Sequence, residues 1–155
     1  MLIVASDSIA TKVTDCIGSL KTNAHSSIRN LGVIFDSAMH LDKHIKLVTR
    51  SCFFHLSNIA KLRSMVSYNE LEMIIHAFVS SRLDYCNSLF TCLNKASLDR
   101  LQLIQNSAAR LLTRSNRRCH ITPVLASLHW LPIAFRVQFK VLVIAYRAMN
   151  GQAPP

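Results

Sequence analysis

Eight carboxylates could take part in acid–base or metal chemistry: Asp7, Asp15, Asp36, Asp42, Glu70, Glu72, Asp84 and Asp99. Metal-assisted phosphoryl or nucleotidyl transfer needs at least two carboxylates converging on divalent ions. These acids are scattered singly, mostly at turns and helix starts, where negative charge complements the helix dipole. Only Glu70 and Glu72 are close in sequence, and on a helix residues i and i+2 point about 200° apart. No catalytic pair is legible, which argues against a self-sufficient polymerase or nuclease. His40 and His44 stand one helical turn apart if their helix begins early, with Asp36 nearby. No fourth ligand is evident, so an exposed helix start is expected there and no metal or cofactor is assigned. Cys86 and Cys92, with Cys119-His120 far off, do not match a zinc spacing. The three glycines are isolated, so no phosphate loop is legible, and nothing resembles a nucleophile elbow.

Charge is the remaining chemistry. Eighteen Lys and Arg against eight Asp and Glu give a formal net charge of +10 over 155 residues, which points to a polyanionic partner. The imbalance is concentrated: residues 100–155 contain Arg100, Arg110, Arg114, Arg117, Arg118, Arg136, Lys140 and Arg147 and no acid. Surfaces ordinarily mix both signs to limit self-repulsion, so an acidic partner or neighbouring domain is implied.

The elements that would position these charges are mainly helical. Half of the residues are hydrophobic, with few Gly and Pro, which favours helices over a sandwich or barrel. The expected fold is mainly α: a few short N-terminal strands, then a helical bundle. Residues 1–5 read as a buried strand that starts without a turn or cap, as if inside an element. Residues 6–17 read as a short helix, 21–27 as a polar loop leading through Ser27-Ile28-Arg29 into a strand at 31–36. A long helix over 41–63 has Leu41, Ile45, Val48, Cys52, Leu56 and Ile59 on one face. Lys43, Lys46, Arg50, Ser57 and Lys61 fall within about 60° on the opposite face. Phe54 lies on that wet side, where it could stack on a sugar or base or pack on another domain.

Ser67 to Glu70 fits a capping box opening a second helix over 68–93, with a bend at Ser80-Ser81. Its apolar side is Leu71, Ile74, Ile75, Phe78, Tyr85 and Leu89. A third helix over 97–113 turns Leu98, Leu101, Ile104, Gln105, Ala108 and Leu112 inward and Arg100, Ser107, Arg110 and Arg114 outward. Thr122-Pro123 starts a short helix, with Pro at its first position. A last helix over 132–149 has Phe135, Phe139, Leu142, Tyr146 and Met149 as its dry side and Arg136, Lys140 and Arg147 opposite. The five cysteines, an odd number, with two in apolar helical positions, read as reduced thiols of cytosol or nucleus. No secretory signal and no run of transmembrane length is legible.

An ordered series of strings carries a family resemblance. Leu31-Gly32-Val33-Ile34-Phe35-Asp36 comes first, then Ser51-Cys52-Phe53-Phe54-His55-Leu56 and the run from His76-Ala77-Phe78 through Leu83-Asp84-Tyr85-Cys86-Asn87. Leu101-Gln102 through Ala108-Ala109-Arg110-Leu111-Leu112, His120-Ile121-Thr122-Pro123, Leu128-His129-Trp130-Leu131-Pro132 and Gln152-Ala153-Pro154-Pro155 follow in order. Together they resemble the region after the palm in reverse transcriptases of non-LTR (LINE-type) retrotransposons, over nearly the whole chain. The resemblance implies a right-hand polymerase entered late. Residues 1–38 would be a palm remnant, and residues 39–155 a helical thumb-like region with a C-terminal extension. The family's catalytic aspartates would precede Met1, and this chain has no Asp-Asp pair, so the implied object is not an enzyme.

The expected function is therefore a truncated reverse-transcriptase fragment that binds nucleic acid, an RNA–DNA or DNA duplex, without sequence preference. Lys43, Lys46, Arg50, Lys61, Arg100, Arg110 and Arg114 are the expected phosphate contacts. The rivals are a helical interaction module that self-associates through exposed apolar surface, and a retrotransposon relic with no selected role.

Overall fold

The computed structural model describes residues 27–116 and 118–152. The strand expected at 1–5, the helix expected at 6–17, Cys16, Arg117 and residues 153–155 lie outside the described residues. The architecture is mainly α, with two short antiparallel strands before a helical bundle. The chain forms two compact units, Met1–Lys46 and Leu47–Pro155.

In the first unit, β1 (Ser27–Asn30) pairs with β2 (Val33–Asp36), with Ser27 opposite Asp36 and Asn30 opposite Val33. The strand expected at 31–36 is thus shorter, and its lead-in is a strand in its own right. Leu31 (φ 46°) and Gly32 (φ 86°) form the turn between them. Two left-handed residues in a two-residue loop match the right-handed twist of the flanking strands. An apolar Leu at the first of those positions disguised the turn as strand. After β2, the Asp36 carboxylate accepts from the His40 amide at 2.9 Å. Leu41, Ile45 and Val33 are buried in this unit.

Helix α1 (Asp42–Leu62) begins in this unit and runs through the second. All six residues expected on its dry face, Leu41 through Ile59, are buried. Helix α2 (Tyr68–Ile75) opens with the expected capping box: the Ser67 hydroxyl accepts from the Glu70 amide, and the Glu70 carboxylate accepts from the Ser67 amide. The chain then widens into a π turn (His76–Ser80) before α3 (Ser81–Asp84). The π turn ends at Ser80, and the backbone stays helical through Ser80 and Ser81, where a bend was expected. The i→i+5 closure of the π turn holds more residues per turn, so a four-residue step keeps to one face. Leu71, Ile75, Val79 and Leu83 are accordingly buried, whereas Phe78, expected inside, is exposed.

The helix does not continue to residue 93. Tyr85 is extended, Cys86 is left-handed at φ 52°, and a 3₁₀ helix (Asn87–Cys92) follows. This reversal leaves Tyr85 exposed and buries Phe90 and Leu93 instead. It also takes Cys86 out of the helical position expected for it.

Helix α4 (Lys95–Thr113) starts from Asn94, whose side chain accepts from the Ser97 amide at 2.8 Å, and ends at left-handed Arg114. It is the centre of the second unit: Leu101, Ile104, Gln105, Ala108, Ala109 and Leu112 are buried, and α2, the π turn, α5 (Ile121–Ser127) and α6 (Ile133–Met149) pack against it. Pro123 is the third residue of α5 rather than the first, still inside the turn that needs no amide donor. Pro132 is the residue before α6.

The largest correction concerns α6. Phe135, Phe139, Leu142, Tyr146 and Met149, expected as its dry side, are all exposed, and Ile133 and Val137 are buried instead. The helix is apolar nearly all round, so periodicity allowed two faces. Packing on the 3₁₀ helix and α4 selected the Ile133 side.

Candidate nucleic-acid interface

Lys43, Lys46, Arg50 and Lys61 are exposed along α1. Their spacing keeps them within about 60° of arc. Eighteen residues separate the first from the last, so the row spans about 27 Å at 1.5 Å rise per residue. The Lys43 ammonium donates to the Ser27 hydroxyl at 2.8 Å, a contact it can keep while facing solvent. Phe54 is exposed on the same helix, edge-on to His55 at 5.6 Å. His55 in turn lies 5.2 Å from the ring of Phe78. That contact gives exposed Phe78 a partner and seats α1 beside the π turn.

The three arginines expected on the third helix have different surroundings. Arg100 is exposed in the first half of α4. Arg114 is exposed at the left-handed residue that ends it. Arg110 is half-buried, and its guanidinium donates to the Cys119 carbonyl at 2.9 Å. That bond ties the basic connection after α4 back onto the helix. Arg110 is therefore engaged in structure as well as charge. On α6, Arg136 pairs with Asp84 at 3.0 Å. The acid-free stretch that begins at Arg100 thus receives one carboxylate from α3, while Lys140 and Arg147 stay exposed.

His40 is exposed, but His44 is buried at 4 % exposure, which corrects the expectation of an exposed pair. Burial pushes the His44 pKa below the ordinary imidazole value. Among the described residues, no three His, Cys, Asp or Glu side chains come together to hold a metal. Cys52, Cys86, Cys92 and Cys119 are all thiols rather than disulfides. Burial raises the Cys52 thiol to about 11, against a smaller opposing effect of the Arg82 charge. A thiol so placed is a packed apolar group, not a nucleophile.

Two hollows of about 390 Å³ each flank the 128–132 turn. One is apolar, between Leu125, His129, Trp130 and Pro132. The other mixes charged and apolar groups, with Asp84, Arg136 and Lys140 beside Leu131 and Phe139. The second puts two cations and an exposed aromatic together, which sequence reasoning missed. The signal was present as Arg136-Val137-Gln138-Phe139-Lys140, but the residues opposite it come from the chain reversal after α3. Among the described residues, no helix is long and apolar enough to cross a membrane.

No protein-family model, curated protein or solved structure matches the chain.

Proposed function

We propose that this chain is the closing part of the palm and the thumb of a non-LTR retrotransposon reverse transcriptase, and that it holds nucleic acid without performing chemistry on it. The observation that carries the reading is the exposed row Lys43, Lys46, Arg50 and Lys61 on α1, with Phe54 beside it. A row of about 27 Å faces roughly sixteen phosphates of a duplex, at one charge per 1.7 Å of axis. Arg100 and Arg114 add two further exposed cations. Such contacts fix position along a backbone and carry no sequence information. The setting would be nuclear or cytoplasmic, where such nucleic acid is met. The ordered strings quoted above support the family, and the single scattered carboxylates support a binding role over a catalytic one.

Fluorescence anisotropy with a labelled RNA–DNA duplex tests the reading. Four phosphate contacts from the α1 row predict a slope of log affinity against log salt near −3.6, hence a loss of ~10² between 50 and 200 mM salt. Removing Lys46 and Arg50 together should flatten the slope by about 2, equally for unrelated sequences. Absence of binding even at low salt defeats the proposal. A primer-extension assay with Mg²⁺ should give no product; product from the purified chain would overturn the non-catalytic part.

A further inference from the structure

The exposed face of α6 has an order of its own. Phe135, Phe139, Leu142, Tyr146 and Met149 are 56 %, 61 %, 67 %, 63 % and 87 % exposed. Their spacing is 4-3-4-3, the repeat that keeps one apolar seam in register with a partner helix. At 100° per residue they fall within about 80° of arc, and the buried pair Ile133 and Val137 lies on the opposite side. The helix therefore meets its own domain through Ile133 and Val137 in its first half, leaves Val141 and Ile144 exposed further along that side, and turns a two-heptad seam to solvent over its whole length.

We infer that this seam pairs with the same seam of a second copy of the chain. Three features favour that occupant. First, the flanking positions that select partners by charge hold Gln138, Val143, Ala145, Asn150 and Arg136. Only Arg136 is charged, and Asp84 neutralises it at 3.0 Å. These flanks neither attract an oppositely charged helix nor repel an identical one. Second, Lys140 and Arg147 stand outside the seam, so two copies do not force them together. Third, the area suffices. Five large side chains at these exposures offer roughly 500 Å² per copy, and with the flanks a two-fold pair passes the ~1,000 Å² expected of a specific interface.

Such a pair has a salt dependence opposite to that of phosphate binding. The contact is apolar, and each chain carries a formal +10, so salt screens the repulsion between copies.

Sedimentation equilibrium of the full chain, freed of nucleic acid, tests the inference apart from the function proposed above. The weight-average mass should move from one chain toward two between ~1 and ~200 µM, and the dimer fraction should rise with salt. Leu142→Glu should hold the mass at one chain throughout with unchanged circular dichroism, because Leu142 is exposed in the single copy. Lys140→Glu, off the seam, should still dimerise. A monomeric wild type, a mass that climbs past two chains without a plateau, or a Leu142→Glu variant that associates like wild type would each overturn it.

Discussion

Gln105 is a polar side chain at the centre of the second unit, 2 % exposed, and its replacement by Leu is the sharpest test of how α6 is held. Its amide nitrogen donates to the Leu131 carbonyl at 2.9 Å, and its oxygen accepts from Gln102 at 2.9 Å. The Gln102 oxygen then accepts from the Ile133 amide at 2.8 Å. Ile133 follows Pro132, which offers no capping side chain, so Gln102 supplies what a helix start lacks. Gln105→Leu keeps the volume and helix propensity but removes two neutral bonds, each worth about 1 kcal/mol, and strands a partly buried carbonyl at a cost of about 1–3 kcal/mol. Better transfer of the Leu side chain offsets part of this, leaving about 2 kcal/mol of destabilisation. With a urea m-value of about 1.5 kcal/mol/M, the midpoint should fall by roughly 1 M or more. Far-UV circular dichroism in urea measures it. A shift below ~0.3 M would refute the reasoning, since it would mean water replaces the glutamine without loss. A double-mutant cycle with Gln102→Leu should show a coupling of about 1 kcal/mol, as the two act through one network.

Other expectations follow from single observations. The folded state disfavours charged His44, so its pKa is lower folded than unfolded. The unfolded chain then binds more protons below about pH 6.5, and stability should fall as pH drops through about 6.5 toward the folded value; His44→Gln, followed by thermal melts from about pH 7.5 to 5, should flatten that slope. Cys92 and Cys119 should react with a maleimide promptly in the native protein, while Cys52 should wait for unfolding, as mass mapping over time would report. Asn94→Ala should cost about 1 kcal/mol by removing the cap of α4, and a urea midpoint unchanged from wild type would count against that cap.

The sequence by itself determined the elements whose signals are local or strictly periodic. The face of α1 from Leu41 to Ile59 was legible because its opposite side carries the row Lys43, Lys46, Arg50 and Lys61, whose burial would cost far more than leaving Phe54 exposed among them. The Ser67–Glu70 capping box was legible because a cap is satisfied within three residues, whereas the third helix, expected from residue 97, starts two residues earlier from the Asn94 cap. Gln105 was legible as inward-facing, but not its bond to Leu131, twenty-six residues away. What the tertiary structure decided lay where local signals were balanced. Apolar Leu31 fitted both strand and turn, and pairing of Ser27–Asn30 with Val33–Asp36 made it a turn. Residues 68–93 carried a continuous helical pattern, until the π turn and the reversal at Cys86 put Phe90 inside in place of Phe78 and Tyr85. Helix α6 had two apolar faces of similar strength, and only the surface it met could choose between them. The basic residues were countable from the chain alone. Which of them stayed open to solvent and which were engaged, as Arg110 is by Cys119 and Arg136 by Asp84, depended on groups that folding brought from elsewhere.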